Sequence, residues 1–334
     1  MIQEHEIVLY QVEDTNICVN VVFKDETFWM TQKAMAELFD VNVPAISKHL
    51  SNIFEEGELF KEATVSKMEI VQMEGNRKVK REPEFYNLDA IIAVGYRVNS
   101  KKATRFRQWE TKTLKDYITK GFVLNDDMLK NGKPFGKDYF DELLERIREI
   151  RASERRAYQK ITDVFEQCSY DYDKNSDITK AFYAFVQNKL HFAVTGKTAA
   201  ELVYERVNAE KPAMGLTTWK DAPDGKILKR DISVAKNYLN EKELSRLNRL
   251  VTMFIDYAEL MAEDEVLMSM QDWVEQTNQF LRNNRREVLE GKGKVSHDMA
   301  MKKAEKEYEI FRVKQDQEYV SEFDREVERY LKGE

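Results

Sequence analysis

The stretch TFWMTQKAMAELFDVNVPAISKHLSNIF, residues 27–54, predicts two short helices joined by a tight turn. Thr31 can cap the first helix, because its side-chain oxygen can accept a hydrogen bond from a backbone N–H of the first turn. Apolar residues then recur at helical spacing as far as Phe39. Pro44 favours a new helix start, because its fixed φ suits the first helical turn and its missing N–H is not needed there.

The second of these helices has an apolar side and a polar side. Its apolar side is formed by Ile46, Leu50 and Ile53. Its polar side carries groups that hydrogen-bond or bear charge, namely Ser47, Lys48, His49 and Asn52. Such a pair is typical of a helix-turn-helix, whose second helix presents its outer side to base edges and phosphates in the major groove of DNA. A plain helical hairpin within a protein core is the alternative interpretation.

The composition limits the class of protein. A chain of 334 residues with 42% hydrophobic and 34% charged residues, few Gly and few Pro favours a helix-rich soluble protein of two domains, or of one domain with an appendage. We expect no membrane span and no signal peptide, since no run of about 18 apolar residues is present and the N-terminus lacks basic and apolar regions. Cys18 and Cys168 lie in different segments without metal-ligand spacing, so a reducing cytoplasm is the expected setting. The net charge of −7 argues against a protein that binds nucleic acid over its whole surface, but it allows a local basic face.

Alternating residues predict two β-hairpins before residue 87. Residues 6–23 alternate loosely about Asp14-Thr15-Asn16. Residues 63–73 and 77–86 flank a predicted turn at Glu74-Gly75-Asn76. The last of these strands carries four cations, Arg77, Lys78, Lys80 and Arg81. They predict a wing that touches the phosphate backbone; a charged edge that prevents association between strands is the alternative.

Positive charge is concentrated between Arg77 and Lys120. This segment has twelve Lys or Arg residues and five Asp or Glu residues, a balance of +7. We therefore predict a phosphate-binding face formed by this segment. The candidate phosphate contacts are Arg77, Lys78, Lys80, Arg81, Lys101, Lys102, Arg105 and Arg107.

Two helices are predicted within the same segment. Asn87 can cap the first, over residues 88–98. Ser100 or a neighbour starts the second, which continues to Lys120 and is closed by Gly121. Lys101, Lys102, Arg105 and Lys112 could share one side of this second helix.

The middle of the chain has the composition of a linker followed by a helix. Residues 122–136 are rich in Asn, Asp, Gly and Pro. Residues 137–168 predict one long helix with apolar residues at intervals of three to four. This helix is either a dimerising coiled coil, which makes a homodimer a candidate assembly, or a spacer packed on the second domain.

The second half predicts helices separated by one irregular interval. The helices are expected over residues 178–191, 198–210, 232–239, 241–262, 266–290 and 296–332. The interval 211–231 places small, hydroxyl, aromatic and cationic groups in a loop, where functional groups are often carried. The candidate residues for a nucleotide-using or nucleic-acid-processing site are Glu201, Arg206, Thr218, Lys220, Lys229 and Asp231. A loop pinned by Trp219 with salt bridges at its edges is the alternative.

Several catalytic and metal motifs do not fit. Residues 195–198 imitate the end of a phosphate-binding P-loop, but His191 stands where the motif needs its first Gly. The four histidines lack Cys or His partners at ligand spacing. No Gly-x-Ser-x-Gly elbow is present. We therefore expect no metal and no cofactor, and no catalytic residue is assigned.

Several sequence segments resemble the RhuM family of bacterial virulence-associated proteins. They are WMTQ at 29–32, FYNLDAIIAVGYRV at 85–98, FRQW at 106–109, KLHFA at 189–193, MGLTTW at 214–219 and KNYL at 236–239. The N-terminal half is also similar to phage antirepressor-type DNA-binding modules, in which a Tyr-x-Leu-x-x-Ile helix precedes a basic Phe-Arg-x-Trp helix. The resemblance implies a protein of virulence, defence or mobile-element loci, without an established activity.

The expected fold is mainly α with a small β component. Residues 1–125 are predicted to form a winged helix-turn-helix-like α+β domain that binds DNA. Residues 126–169 are predicted as a linker and a long connecting helix, and residues 170–334 as an all-helical domain. An enzyme with a site in the helical domain and a protein-interaction module are the alternative functions.

Overall fold

The structure, a computed structural model, describes residues 4–12, 15–24, 27–74, 77–131, 139–173 and 175–319. The protein is mainly helical with a small β component, which confirms the predicted fold class. The chain divides into two compact units, Met1–Asp138 and Tyr139–Glu334. Among the described helices, none combines the length and the apolar character that a membrane span requires.

The first unit is an α+β structure. Its strands are β1 (Glu4–Val12), β2 (Thr15–Lys24), β3 (Thr27–Thr31), β4 (Val65–Lys67), β5 (Ile70–Glu74), β6 (Arg77–Arg81) and β7 (Glu84–Asn87). Its helices are α1 (Gln32–Phe39), α2 (Val43–Glu55), α3 (Lys61–Thr64), α4 (Leu88–Arg97), α5 (Lys101–Lys120) and α6 (Asp126–Asn131). Five strands form an antiparallel sheet in the order β1-β2-β3-β7-β4, and β5 pairs with β6 in a separate hairpin.

The two predicted hairpins are present, but the second is divided. β1 and β2 pair as predicted for residues 6–23. The strands predicted over 63–73 and 77–86 are each split, so that their inner parts form the β5–β6 hairpin and their outer parts, β4 and β7, join the main sheet. Pro83 lies at the split and has no N–H to donate to a strand ladder, while its carbonyl accepts a bond from Met68 N at 3.3 Å.

The two helices predicted from residues 31–54 are α1 and α2, which we call the helix pair. The Thr31 side chain caps α1 by accepting a bond from Ala34 N at 3.2 Å. Asp40, in the left-handed region with φ of 56°, ends α1. The Asn42 side chain then caps α2 by accepting a bond from Ala45 N at 2.9 Å. Local hydrogen bonds thus fix the end of α1 at Phe39 and the start of α2 at Val43.

The cap at Asn42 is expected to stabilise the start of α2. Asn42→Ala removes the acceptor for Ala45 N and should lower the free energy of opening of α2 by about 1 kcal/mol, the usual value of an N-cap. Hydrogen exchange of the α2 amides measures this change. Asn42→Asp retains the acceptor and should leave the exchange close to that of the unchanged protein. Equal exchange in Asn42→Ala would contradict a stabilising role of this cap.

The main sheet separates two apolar clusters, because successive side chains of a strand point to opposite faces. Met30 and Tyr86 are buried on one face with apolar residues of α1, α2, α4 and α5. Trp29 and Phe85 are buried on the other face with Ile70, the first residue of β5. The helices therefore cover one face of the sheet, and the base of the β5–β6 hairpin covers the other.

The second unit is helical where it is described. Its helices are α7 (Phe140–Arg151), α8 (Glu154–Cys168), α9 (Asp177–Thr195), α10 (Ala199–Arg206), α11 (Glu241–Glu263), α12 (Met270–Asn283) and α13 (His297–Glu318). Its larger core surrounds Phe165, Phe254 and Trp273 and joins α8, α9, α11 and α12. A second core surrounds Met214, Tyr238 and Tyr308 and joins α10, the loop after it and α13.

The long helix predicted over residues 137–168 is two helices. α7 ends before Ala152 and α8 begins after Ser153, where the backbone turns to an extended conformation. Both helices pack within the second unit: Glu145 on α7 pairs with Arg249 on α11, and Phe165 on α8 is fully buried. We predicted that independently folding segments end at residues 125 and 169. These two limits stay predictions.

The helix predicted over residues 232–239 is two 3-10 turns, Asp231–Ser233 and Ala235–Tyr238. Asn237 Nδ2 donates to Asp231 O at 2.9 Å, and Tyr238 Oη donates to Ile232 O at 3.0 Å. These side chains occupy carbonyls that a continuous helix would use. The helices predicted over 198–210 and 266–290 end earlier, at Arg206 and Asn283, and residues 320–332 of the last predicted helix lie outside the described part of the chain.

Candidate nucleic-acid interface

The outer side of α2 is accessible. Ser47 and Lys48 are exposed, and His49 and Asn52 are half-buried. The opposite side is anchored in the core of the first unit by three fully buried residues, Ile46, Leu50 and Ile53. The helical spacing seen in the sequence therefore places hydroxyl, ammonium, imidazole and amide groups on one solvent-facing surface. These are the group types that hydrogen-bond to base edges and phosphates.

α5 carries a second polar surface, which we call the α5 face. It consists of Lys101, Arg105, Gln108, Lys112 and Lys115, which follow one another at intervals of three or four residues. All five lie opposite Ala103 and Phe106, the residues by which α5 is buried. Beside this face a shallow groove of about 500 Å³ runs along Gln108, Lys112 and Lys115.

The start of α5 is hydrogen-bonded to the end of α1, at the turn of the helix pair. Ser100, the cap of α5, donates to Phe39 O at 2.6 Å. Lys102 Nζ donates to Glu37 O at 3.2 Å. Both carbonyls belong to the last turn of α1, and α2 begins only a few residues later. α5 therefore begins beside the turn that leads from α1 into α2.

Two arginines of this region hold the fold together. Arg107 donates to Gly95 O at 2.7 Å and Val98 O at 3.1 Å, the carbonyls at the end of α4, where the helix dipole favours a cation. Arg97 pairs with Glu56 at 2.7 Å and also with Glu58, and this guanidinium lowers the pKa of Glu56. Arg107, predicted as a phosphate contact, is thus committed to carbonyls of α4.

The structure does not bring the hairpin cations together with the α5 face. The base of the β5–β6 hairpin packs on the opposite face of the sheet from the helices. Lys80 is exposed and pairs with Glu69 at 2.7 Å, and Arg81 is exposed. The side chains of Arg77 and Lys78 lie outside the described part of the protein. The predicted set of phosphate contacts is therefore divided between two places of the first unit.

The candidate residues of the second half have structural partners. Both carboxylate oxygens of Glu201 accept backbone bonds, from Lys294 N at 2.6 Å and Thr198 N at 2.8 Å. Those bonds hold the pKa of Glu201 below its ordinary value despite its partial burial. Asp231 accepts from Leu228 N at 2.8 Å and from Lys220 N at 3.4 Å, which closes its loop.

The remaining candidates are also engaged or remote. Arg206 makes a two-pronged pair with Glu243 at 2.6 and 2.7 Å, Lys229 pairs with Glu305 at 3.0 Å, and Thr218 N donates to Asn237 O. A cleft of about 1350 Å³ is lined by Glu201 but by none of the other five candidates. The described residues therefore do not gather the six candidates into one site.

The Arg206–Glu243 pair makes the stability of the second unit depend on pH. Bonds from Arg206 lower the pKa of Glu243 from its ordinary value of 4.5. A carboxyl whose pKa is lower in the folded than in the unfolded chain stabilises the fold above the ordinary pKa, and this contribution is lost as pH falls through the folded value. We expect Glu243→Gln to cost roughly 2 kcal/mol at neutral pH and less near pH 3.

Urea unfolding at both pH values measures this difference. Glu241→Gln, at an exposed position of the same helix, is the matched control and should change stability little at either pH. A constant difference between Glu243→Gln and the unchanged protein from pH 7 to pH 3 would show that the ion pair is not the cause.

Sequence reasoning assigned only part of the α5 face. Gln108, Lys112 and Lys115 were not chosen as contacts, although their spacing from Lys101 and Arg105 is visible in the sequence. The signal that could have found them is the same periodicity that located the buried side of α5, read for the opposite side of the helix.

The sequence profile described as "Virulence protein RhuM family" matches residues 63–320. The matched range contains α4, α5 and all of the described second unit, and the helix pair precedes it. No curated protein matches the chain.

Proposed function

The chain belongs to the virulence protein RhuM family, and from this premise we propose that its first unit binds duplex DNA. The observation that carries the proposal is that two polar surfaces of the first unit start at one turn. The polar outer side of α2 and the cationic α5 face both start beside Phe39, on the helix-covered side of the sheet.

In this proposal the helix pair is a helix-turn-helix and α2 is its recognition helix. Ser47, Lys48, His49 and Asn52 face the major groove, where hydroxyl, ammonium and amide groups can distinguish base edges. The start of α2 approaches a phosphate, because the N-terminus of a helix attracts anions. Its N-cap is made by Asn42 and its first turn carries no acidic residue that would repel one.

The α5 face supplies the backbone contacts. Lys101, Arg105, Lys112 and Lys115 are exposed on α5, and the acidic residue beside them, Asp116, pairs with Lys120 at 2.9 Å. Lysine and arginine side chains that replace counterions along the duplex provide affinity without reading sequence. α5 itself has seven Lys or Arg residues and two Asp or Glu residues, a balance of +5, so it attracts a polyanion that the overall net charge of −7 repels elsewhere.

The full chain and a short duplex of mixed sequence test this proposal. Fluorescence anisotropy between about 50 and 200 mM salt should give an affinity that falls steeply with salt, by about 0.9 logarithmic units per tenfold salt for each phosphate contact. An affinity that does not change with salt, or no binding at the lowest salt, would exclude DNA binding by this face.

Lys48 is the exposed cation on α2. Lys48→Ala should weaken duplex binding by about 1 kcal/mol, near a fivefold change in affinity, because one contact to a base or phosphate is lost. Lys242→Ala, at an exposed lysine of α11 in the second unit, is the matched control and should bind like the unchanged protein. Equal affinities of both variants would remove α2 from the interface.

Each of the two alternative functions has an experiment whose result would favour it over DNA binding. The enzyme alternative is tested at the cleft beside Glu201, by incubating the full chain with DNA or RNA and Mg²⁺. Turnover that is lost in Glu201→Gln would favour a nucleic-acid-processing enzyme. A gel shift without turnover would favour a DNA-binding protein. For the protein-interaction module, a partner that co-purifies with the full chain in the absence of nucleic acid would favour it.

The homodimer expected through residues 137–168 would have to use α7. Phe165 and Cys168 of α8 are buried in the core of the second unit and are not available to another copy. On α7, Phe140, Ile147 and Ile150 are 44%, 41% and 54% exposed. Sedimentation of the full chain and of its Ile150→Asp variant tests the dimer. A dimer through α7 requires the mass of two chains for the unchanged protein and the mass of one chain for the variant.

A further inference from the structure

A cavity of about 580 Å³ lies inside the second unit. It is bounded by α8, α9 and α11 and lies beside the break between α7 and α8. Ala157, Ile161, Leu190, Leu247 and Val251 contribute to a wall that is mostly apolar. Sites for small molecules are typically concave, mostly apolar and of about 300–1000 Å³, with a few polar groups that orient the ligand.

His191 is the buried polar group of this cavity. Its side chain is almost entirely buried, at 4% exposure, and lines the cavity. Nδ1 lies 2.9 Å from Gln187 O. A carbonyl oxygen can only accept, so Nδ1 carries the hydrogen of the neutral ring and Nε2 is left as an acceptor. Nε2 has no hydrogen-bond partner among the described residues.

A buried acceptor without a partner is costly, and native proteins rarely leave one unexplained. Burial lowers the pKa of His191, so the ring is neutral and Nε2 keeps its lone pair at physiological pH. A ligand that donates an O–H or N–H group would satisfy this atom. The apolar wall selects a ligand whose remaining surface is apolar.

Lys236 adds a positive charge to the same cavity. Its Nζ donates to Ala152 O at 3.2 Å, at the break between α7 and α8. The ammonium is close enough to His191 to help lower the pKa of that ring. Lys236 and His191 line the same cavity, so the positive charge attracts an anionic group of a ligand towards this part of the wall.

We propose that this cavity binds a small aromatic or aliphatic acid that carries an O–H or N–H group. The apolar body fills the space between α8, α9 and α11, the O–H or N–H donates to His191 Nε2, and the acid group lies towards Lys236. The proposal concerns the second unit alone and does not depend on DNA binding by the first.

Three probes that differ by one group each test the assignment by calorimetry on the full chain. Indole-3-acetate has the apolar body, the N–H and the acid; naphthalene-1-acetate lacks the N–H; indole lacks the acid. Indole-3-acetate is expected to bind best, and each of the others about tenfold more weakly, since each loses one polar contact. Absence of binding by all three probes overturns the proposal.

Three substitutions locate the contacts. His191→Phe keeps a ring but removes the acceptor, and should weaken indole-3-acetate about tenfold while changing naphthalene-1-acetate less than about twofold. Lys236→Met should weaken both acids and leave indole unchanged. An equal effect of His191→Phe on the two acids would overturn the role of Nε2.

Val251→Trp fills the cavity while His191 stays unsubstituted. This variant therefore tests the same site if the histidine variant does not fold. Val251 is half-buried on α11 and lines the cavity, so a larger side chain there occupies the ligand volume. It should abolish binding of all three probes. Leu260→Trp, on the same helix at 50% exposure and outside the cavity, is the matched control and should bind normally. Undiminished binding by Val251→Trp would place the probes elsewhere and overturn the assignment.

Discussion

Replacing Lys101, Arg105, Lys112 and Lys115 together by alanine is expected to weaken binding of duplex DNA roughly 10- to 100-fold at moderate salt. Each of these cations lies on the outer side of α5, so each substitution removes one solvent-exposed contact to a phosphate. Exposed ion pairs are worth about 0.2–1 kcal/mol each, and four of them come to roughly 1–4 kcal/mol. Since about 1.4 kcal/mol corresponds to a tenfold change, this sum spans roughly 5- to 700-fold, and the expected 10- to 100-fold loss is the middle of that span.

The salt dependence is the more specific readout of this variant. Loss of four phosphate contacts should reduce the slope of the logarithm of affinity against the logarithm of salt concentration by about three to four. A loss of affinity with an unchanged slope would mean that the α5 face does not contact phosphates and that the substitutions act through the fold.

A second quadruple variant controls for net charge. Lys242, Lys302, Lys306 and Lys314 are exposed residues of α11 and α13 in the second unit. Their replacement by alanine changes the net charge of the protein by the same amount. This control should keep both the affinity and the slope, and an equal loss in the two variants would show that overall charge, rather than the α5 face, determines binding.

Phe106→Ala is expected to lower the free energy of unfolding of the first unit by about 3–5 kcal/mol, the cost of a large cavity in a packed core. Phe106 is 1% exposed, and its ring meets that of Phe39 edge-on, with centroids 5.5 Å apart. This contact joins α5 to α1 and so holds the cationic helix beside the helix pair. Hydrogen exchange of amides in α4 and α5 reports the first unit by itself.

Gly95→Ala tests the same packing, because its effect on stability should change sign when Phe106 is also replaced. A Cβ at this position would lie 2.9 Å from two ring carbons of Phe106 and 3.0 Å from Phe39. Gly95→Ala should therefore destabilise the unchanged protein by about 1–2 kcal/mol, since overpacking outweighs the helix propensity of alanine. In the Phe106→Ala background the added methyl enters the cavity, and the same substitution should stabilise the unit.

Phe122→Ala is the matched control for the loss of an aromatic ring. Phe122 follows α5 and is 57% exposed, so its replacement should change stability by less than about 0.5 kcal/mol. Additive effects of Gly95→Ala and Phe106→Ala would contradict a direct contact between the two positions, because residues in contact are expected to couple.

The sequence by itself determined those features that depend on neighbours along the chain. The caps predicted at Thr31, Asn87 and Ser100 are present, and Gly121 ends α5 in the left-handed conformation. Each of these signals operates over three or four residues. The buried stripe of α2 was predicted for the same reason, because helical periodicity fixes which residues share a side.

Predictions that needed distant partners were less complete. Residues 139–168 carry a periodic apolar pattern that suits a free coiled coil as well as two helices packed within a unit, and only the contacts to α11 and α12 distinguish them. The basic hairpin was expected to be a wing that touches the phosphate backbone. Its place depends on which face of the sheet Ile70 covers, and strand alternation alone does not decide this.

Tertiary structure alone assigned the polar residues of the second half. Glu201 is bonded to Lys294 N, 93 residues away, and Arg206 to Glu243, 37 residues away. The sequence showed that acids and cations occur near residues 201–231, but their partners come from other helices. It could not show that His191 would keep an unsatisfied ring nitrogen beside Lys236, because that pairing arises only when α9 packs against the turn that precedes α11.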